Sequence, residues 1–184
     1  VTLINDMLDI EKMTEGSMEF ALEQVDMAEV VEEVVEANKL KGEKRSVSVR
    51  YNLQEDEDGM FTLGERTRLV QLLENVVDNA VKFSDDASEV IVSLLVYRGR
   101  LRVSVRDFGC GVPTAARGTI FDKFTQADMG DTRAAGGTGL GLAVAKAITE
   151  GHNGRIFFAA EEGTGSEFFV DLPRLIGEEV ISLE

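Results

Sequence analysis

Apolar residues set the rhythm of this chain. Leu3, Ile4, Met7, Leu8, Ile10 and Met13 fall at helical spacing with Asp and Glu between them. That spacing predicts the end of an amphipathic helix in need of a partner, stopped by Gly16. Residues 18–26 alternate as a strand does, and Asp26 is set to cap a helix over 27–43 rich in Glu and Val. Short strands are expected at 46–52 and 59–63, then a second helix over 65–83. Strands over 88–97 and 100–108 flank a tight turn at Arg98-Gly99-Arg100. Residues 109–137 read as irregular, with a short helix near 117–124. A helix over 139–150 and strands over 154–160 and 166–172 follow, and the last eleven residues, 174–184, read as an acidic tail or linker. No repeat with a period of 20–50 residues is visible. Strands mixed with helices, most of them in hairpins, predict an α+β fold. It would be a two-layer α/β sandwich, a mixed but mostly antiparallel sheet covered on one face by helices. The other sheet face would be polar or lie against something else.

Composition changes this picture little: 43% hydrophobic and 29% charged residues are ordinary for a globular domain. Charge changes it more. A formal net charge of -15, from 34 acidic and 19 basic residues, argues against nucleic acid or an anionic membrane as main partner. A small anionic ligand held by local donors stays open. The single cysteine, Cys110, rules out an internal disulfide framework and suits a reducing compartment. The single histidine, His152, rules out a multi-His metal centre. No apolar run approaches the roughly 20 residues a membrane helix needs. The chain opens on Val1 within a helical pattern, as a piece of a longer protein would.

Three segments carry candidate chemistry. Along helix 65–83, Gln71, Glu74, Asn75, Asp78, Asn79 and Lys82 form one continuous polar stripe. A solvated helix face explains such a stripe. Two asparagines one turn apart are poor helix formers, however, and oxygen ligands one turn from a lysine suit Mg²⁺ and the phosphates it bridges. The strand ending at 108 runs into Asp107-Phe108-Gly109-Cys110-Gly111. This is either a turn or a carboxylate acceptor beside glycines that let a flat ring approach the backbone. Its DFG letters do not make it a eukaryotic-type protein kinase, because the Gly-rich loop, strand lysine and HRD loop are missing. Gly136-Gly137-Thr138-Gly139-Leu140-Gly141-Leu142 leads straight into a helix. Each interior glycine costs about 1 kcal/mol against alanine. The pattern exposes backbone N–H groups to an anion at the positive helix end. It matches neither GxxxxGK[ST] nor GxGxxG.

In order, these pieces resemble the catalytic domain of sensor histidine kinases, within the superfamily shared with DNA gyrase and the heat-shock chaperone ATPases. Asn75-x3-Asn79-x2-Lys82-Phe83 is similar to the family's N box, and Asp107-x-Gly109-x-Gly111 to its first glycine box. Phe121 and Phe124 match its F box, Gly137-x-Gly139-x-Gly141 its second glycine box, and Gly163-Thr164-Gly165-Ser166 its last. The resemblance implies a Bergerat-type ATP-binding fold over 16–173, with 1–15 the stub of the family's dimerising, phosphoacceptor helical hairpin. It implies ATP and Mg²⁺ as cofactors. Asn79 would bind the metal with Asn75 beside it, and Lys82 would contact phosphate. Phe83 would lie near the adenine, and Asp107 would accept from the adenine amino group beside Gly109 and Gly111. Gly137, Thr138, Gly139, Leu140, Gly141 and Leu142 would wrap the phosphates, and Thr164 would line the adenine side. Residues 112–136, including Phe121, Lys123, Phe124 and Arg133, would form a lid.

The implied function is transfer of the ATP γ-phosphoryl group to a histidine outside this chain. The implied partners are that hairpin and a response-regulator receiver domain, in the cytoplasm. No nucleic acid and no membrane contact by these residues are implied. The superfamily's hydrolases carry a water-activating glutamate where Asn75 stands, although Glu74 is next to it. His152 is expected to be structural. An ATPase or serine kinase of the same superfamily, a nucleotide-binding module without transfer activity, and a plain interaction domain are the alternatives.

Overall fold

The computed structural model describes residues 11–12, 20–125, 138–177 and 179–181. The amphipathic segment 3–13 and the stub 1–15 therefore lie outside the described residues, except Glu11 and Lys12. Among the described residues the elements run β1 (Glu23–Asp26), α1 (Met27–Glu43), β2 (Ser48–Leu53), β3 (Phe61–Gly64), α2 (Arg66–Phe83), β4 (Glu89–Tyr97) and β5 (Arg100–Arg106). They continue as α3 (Gly141–Gly151), β6 (Arg155–Glu161), β7 (Gly165–Ile176) and β8 (Glu179–Ile181).

The main sheet has the order β2-β4-β5-β7-β6, with β8 added to the end of β7, while β1 and β3 form a separate ribbon. β2 and β4 are parallel, and β4, β5, β7 and β6 are antiparallel neighbours. The parallel pair needs a crossover, and α2 supplies it on the helical side. Alternation decides which sheet face is covered. Val90, Val92 and Val103, Val105 point with Phe168, Val170 and Leu172 into one core. Leu69, Leu72, Leu73, Val76, Val77, Ala80 and Val81 bring the apolar stripe of α2 onto it. Burying one such Leu or Val is worth roughly 2 kcal/mol. The apolar stripe therefore fixes the rotation of α2 and turns Asn75 and Asn79 away from the sheet interior. α1 begins where expected because the Asp26 side chain accepts from the Ala28 N–H at 2.9 Å.

The opposite sheet face is not plain polar. Asp171, 1% exposed, accepts from Arg102 Nε at 2.6 Å and from Arg155 Nε at 2.9 Å. Burial pushes the Asp171 carboxyl up, but the two guanidinium hydrogen bonds outweigh it and hold it below the usual carboxylate range. Arg102 also lies over the Tyr97 ring, 3.8 Å from its centroid.

Three expectations differ from the structure. The strand expected over 18–26 is limited to Glu23–Asp26 among the described residues, because its partner β3 offers only Phe61–Gly64. The helix expected near 117–124 is a 3₁₀ turn at Thr114–Ala116 followed by turns, closed by Thr119 N–H to Ala116 and Asp122 N–H to Thr119 carbonyls. Gly118, β-branched Thr119 and the Arg117 guanidinium, which is drawn to the Ala160 carbonyl, favour this tighter path. The tail expected from 174 onward begins as strand, since β7 runs to Ile176 and pairs with β8. Arg174 is the reason: it is buried, ion-paired with Asp56, and donates to the Gly59 carbonyl at 3.0 Å.

Candidate functional site

α2 and α3 together build one wall of the site. Asn75 and Asn79 are half-buried, and among the described residues neither amide has a hydrogen-bond partner. Gly141, the first residue of α3, faces Asn75: a Cβ there would sit 3.3 Å from Asn75 Oδ1. No side chain caps this helix at Leu140, so its first N–H groups are open at the positive end of the dipole. Thr138 is exposed and its hydroxyl accepts from the Leu140 N–H at 3.3 Å, while Leu140 is fully buried and anchors the turn. Leu142 is half-buried beside it. Gly139 has φ +69 and accepts from the Phe124 N–H at 2.9 Å. Gly137, Gly136 and Arg133 lie outside the described residues.

Lys82 follows Asn79 by three residues, its ammonium 4.9 Å from the Phe83 ring centroid. Burial lowers the Lys82 pKa from its ordinary 10.5; nearby Asp78 raises it and Arg45 lowers it further. Arg45 is held there by donating to the Lys82 carbonyl at 3.0 Å, and Lys41 pairs with Asp78 at 3.0 Å.

The second wall lies at the end of β5. Asp107 is 2% exposed, yet no cation pairs with it among the described residues. Its Oδ1 accepts from the Gly109 and Ser166 N–H groups, each at 3.1 Å, and its other oxygen accepts from the Ser166 hydroxyl. The glycines are required by close approach. A Cβ on Gly109 would overlap the Phe83 carbonyl, one on Gly111 (φ +74) the Glu161 carbonyl, and one on Gly165 (φ +94) the Asp107 carbonyl. Phe83 thus joins the end of α2 to the turn after β5, an antiparallel bridge between Ser84 and Gly109 sealing the junction. Cys110 is partly buried in that turn, and burial pushes its thiol up.

Thr164 is not brought to Asp107. It is exposed, its hydroxyl donating to the Glu161 carbonyl at 3.2 Å. Ser166 is the hydroxyl that meets Asp107, because the β5–β7 register sets Arg106 opposite Glu167. The residue before Glu167 therefore meets the residue after Arg106. That register was the signal: strand alternation through 166–172 sends Ser166 and Phe168 to one face. In the expected lid, Phe121 packs edge-on to Phe158 and Phe168, at 6.0 and 6.2 Å between centroids. Phe124 and Lys123 are exposed.

His152 is buried at the end of α3. Its Nε2 accepts from the Glu65 N–H at 3.0 Å, so the neutral ring carries its proton on Nδ1, which lies 2.8 Å from the Ile148 carbonyl. Both nitrogens are engaged, leaving none to receive a phosphoryl group. Burial lowers the His152 pKa below its ordinary 6.5, outweighing the Ile148 hydrogen bond and the Glu65 charge. Protonation therefore favours the unfolded chain. Stability should be full above the unfolded pKa and fall as pH drops below it toward the folded value. Urea melts at pH 7.5 and 5.5 are expected to differ more for this protein than for His152→Gln.

Residues 64–176 match the model of the histidine kinase-, DNA gyrase B- and HSP90-like ATPase family. The chain belongs to this family. Among its ATPase-family relatives is the sensor protein kinase WalK of Staphylococcus saprophyticus, 34% identical over 175 residues, which are 94% of this chain and 28% of that protein. WalK of Staphylococcus haemolyticus is 33% identical over the same share. The chain thus spans under a third of the length of these relatives. Full-length ShkA in complex with AMPPNP superposes with a TM-score of 0.83 at 29% identity, covering 96% of this chain and 36% of that one. The catalytic domain of histidine kinase ThkA superposes at 0.70 and 25% identity, covering 85% of this chain and 97% of that one. The α+β sandwich expected from the sequence is the fold these family members share.

Proposed function

We propose that this chain is the ATP-binding catalytic domain of a two-component sensor histidine kinase, passing the ATP γ-phosphoryl group to a histidine outside the chain. The observation that carries this reading is the unpartnered amide of Asn75 facing the uncapped start of α3, with the unpartnered Asn79 one turn further along α2. Half-buried side-chain oxygens without protein partners beside open N–H groups suit a phosphate-bound cation. These donors fit Mg²⁺: Asn79 would hold it, with Asn75 beside it. Bound there, the metal would neutralise charge on the triphosphate. The chain's own residues do the rest. Lys82, its ammonium partly stripped of water, binds phosphate; Gly139 to Leu142 present main-chain N–H groups to it. Asp107, on the other wall, accepts from the adenine amino group.

Phosphoryl transfer depends on such positioning more than on covalent chemistry by the protein. The acceptor imidazole attacks in line, the bond from the γ-phosphorus to the ADP oxygen breaks, and ADP leaves. Hydrolysis is the less supported reading, because Asn75 stands where a water-activating carboxylate would be and the neighbouring Glu74 is exposed. The acceptor is assigned to a helical hairpin of the same protein or its dimer mate. The next acceptor would be a response-regulator receiver domain, all in the cytoplasm where Mg²⁺-ATP is available. Among the described residues no helix is long and apolar enough to cross a membrane.

The deciding test mixes this chain and Mg²⁺-ATP with a separately made acceptor hairpin. Acid-labile, base-stable label on the hairpin is expected. ATP binding without transfer would reduce the domain to a regulatory module, and release of inorganic phosphate alone would favour the hydrolase. Asn79→Ala is expected to remove the Mg²⁺ dependence of ATP affinity seen by calorimetry; equal Mg²⁺ effects in both proteins would remove Asn79 from the metal site.

A further inference from the structure

The proposed site depends on two helices that meet in one particular alignment. α2 carries Asn75 and Asn79, and α3 carries the open N–H groups at Gly141. The helices are antiparallel, since Gly141 lies by Asn75 and His152, after the end of α3, lies by Glu65 at the start of α2. From Glu65 to Asn75 is ten residues, about 15 Å of helix rise, and from Gly141 to His152 eleven residues, about 16 Å. Two rods of nearly equal length pinned at one end are thereby aligned at the other.

Apolar contact holds the two helices together: α3 buries Ala143, Val144, Ala145 and Ile148, and such burial is non-directional. His152 supplies the direction that burial does not. Its ring takes the Glu65 N–H on Nε2 at 3.0 Å and gives its Nδ1 hydrogen to the Ile148 carbonyl at 2.8 Å. It fits a slot left by Gly64, where a Cβ would stand 2.8 Å from the ring, and Phe20 covers it at 4.6 Å between centroids. A planar ring held at two opposite nitrogens and on its faces has one position only.

We infer that His152 is a positioning residue of the proposed phosphate site: it pins the ends of α2 and α3 and so sets Gly141 against Asn75 at the other end. The inference rests on the nucleotide reading given above, and it separates the two walls. Adenine recognition at Asp107 lies on β5 and β7, outside the pin. Phosphate and metal binding lie on α2 and α3, inside it.

The test compares Mg²⁺-ATP with adenosine, which has the ring and no phosphates, against three variants of this chain. His152→Gln reaches as far as Nε2 and keeps an acceptor for Glu65; it is expected to stay within about twofold of the parent in Mg²⁺-ATP affinity. His152→Asn keeps only the bond to Ile148, and His152→Phe keeps only the volume. Both are expected to weaken Mg²⁺-ATP about tenfold while adenosine affinity is unchanged. A merely structural histidine would lower both ligands together, or only the melting temperature, and either result overturns the inference. So does folded His152→Asn with parental Mg²⁺-ATP affinity. Should His152→Phe fail to fold, the contrast between His152→Asn and His152→Gln decides. A parent chain that binds neither ligand would sink the nucleotide reading itself, a different outcome from a parent that binds both and variants that do not discriminate.

Discussion

Gly109→Ala is expected to destabilise the fold by about 3 kcal/mol, at the upper end of what overpacking costs, with a matching fall in the urea midpoint. The added methyl would overlap the Phe83 carbonyl oxygen and press on the Ser84 backbone. Neither is a side chain that can turn aside. Relief requires the end of α2 to draw back from β5, breaking the bridge between Ser84 and Gly109. Nucleotide affinity should fall with stability, because the same displacement moves Lys82 and Phe83. Gly118→Ala is the control: nothing lies within 4 Å of the new methyl, so its stability should not move by more than a few tenths of a kcal/mol. A Gly109→Ala melt that coincides with the control's would show that the close approach is not as described.

Asp107→Asn is expected to leave the fold nearly intact and weaken ATP binding by about tenfold to a hundredfold, the range for losing a hydrogen bond to a charged group. The amide oxygen of the substituted side chain can still accept from the Gly109 and Ser166 N–H groups, and the Ser166 hydroxyl need only rotate to accept rather than donate. What changes is the group facing the base: an NH₂ would meet the adenine NH₂, donor against donor. Asp107→Ala should be worse for stability, by about 2 kcal/mol, since two buried main-chain N–H groups lose their acceptor. Thr164→Ala should bind ATP as the parent does, whereas Ser166→Ala should weaken it. Unchanged ATP affinity in Asp107→Asn would remove this carboxylate from base recognition.

Local chemistry is legible in the sequence; partners distant in the chain are not. α1 spans the residues its Asp26 cap predicts, and the polar stripe of α2 turns Asn75 and Asn79 outward as its periodicity requires. The glycines at 109 and 111 are marked by spacing alone, but which atoms crowd them is not readable, because Phe83 and Glu161 come from other elements. Thr164 and Ser166 are hydroxyls two residues apart, and spacing alone does not say which one meets Asp107. Only the pairing of β5 with β7 decides which reaches Asp107. The end of β7 reads as a tail because nothing near Arg174 in sequence holds it; Asp56 and Gly59, over a hundred residues earlier, do. His152 reads as structural from a turn position, while its hydrogen bond to Glu65 spans 87 residues.

At Gly109, Gly111 and Gly165 the same contact recurs: an α-carbon of one segment resting on a peptide oxygen of another. The width of the cleft there is consequently a main-chain dimension, no more adjustable than the thickness of a peptide group. Phe108 and Phe124 nearby carry exposed side chains, which can change without disturbing such a contact. The floor can be lost by adding a methyl but not retuned, so an inhibitor fitted to that floor would meet resistance mutations among exposed side chains of that kind and hardly any at the base.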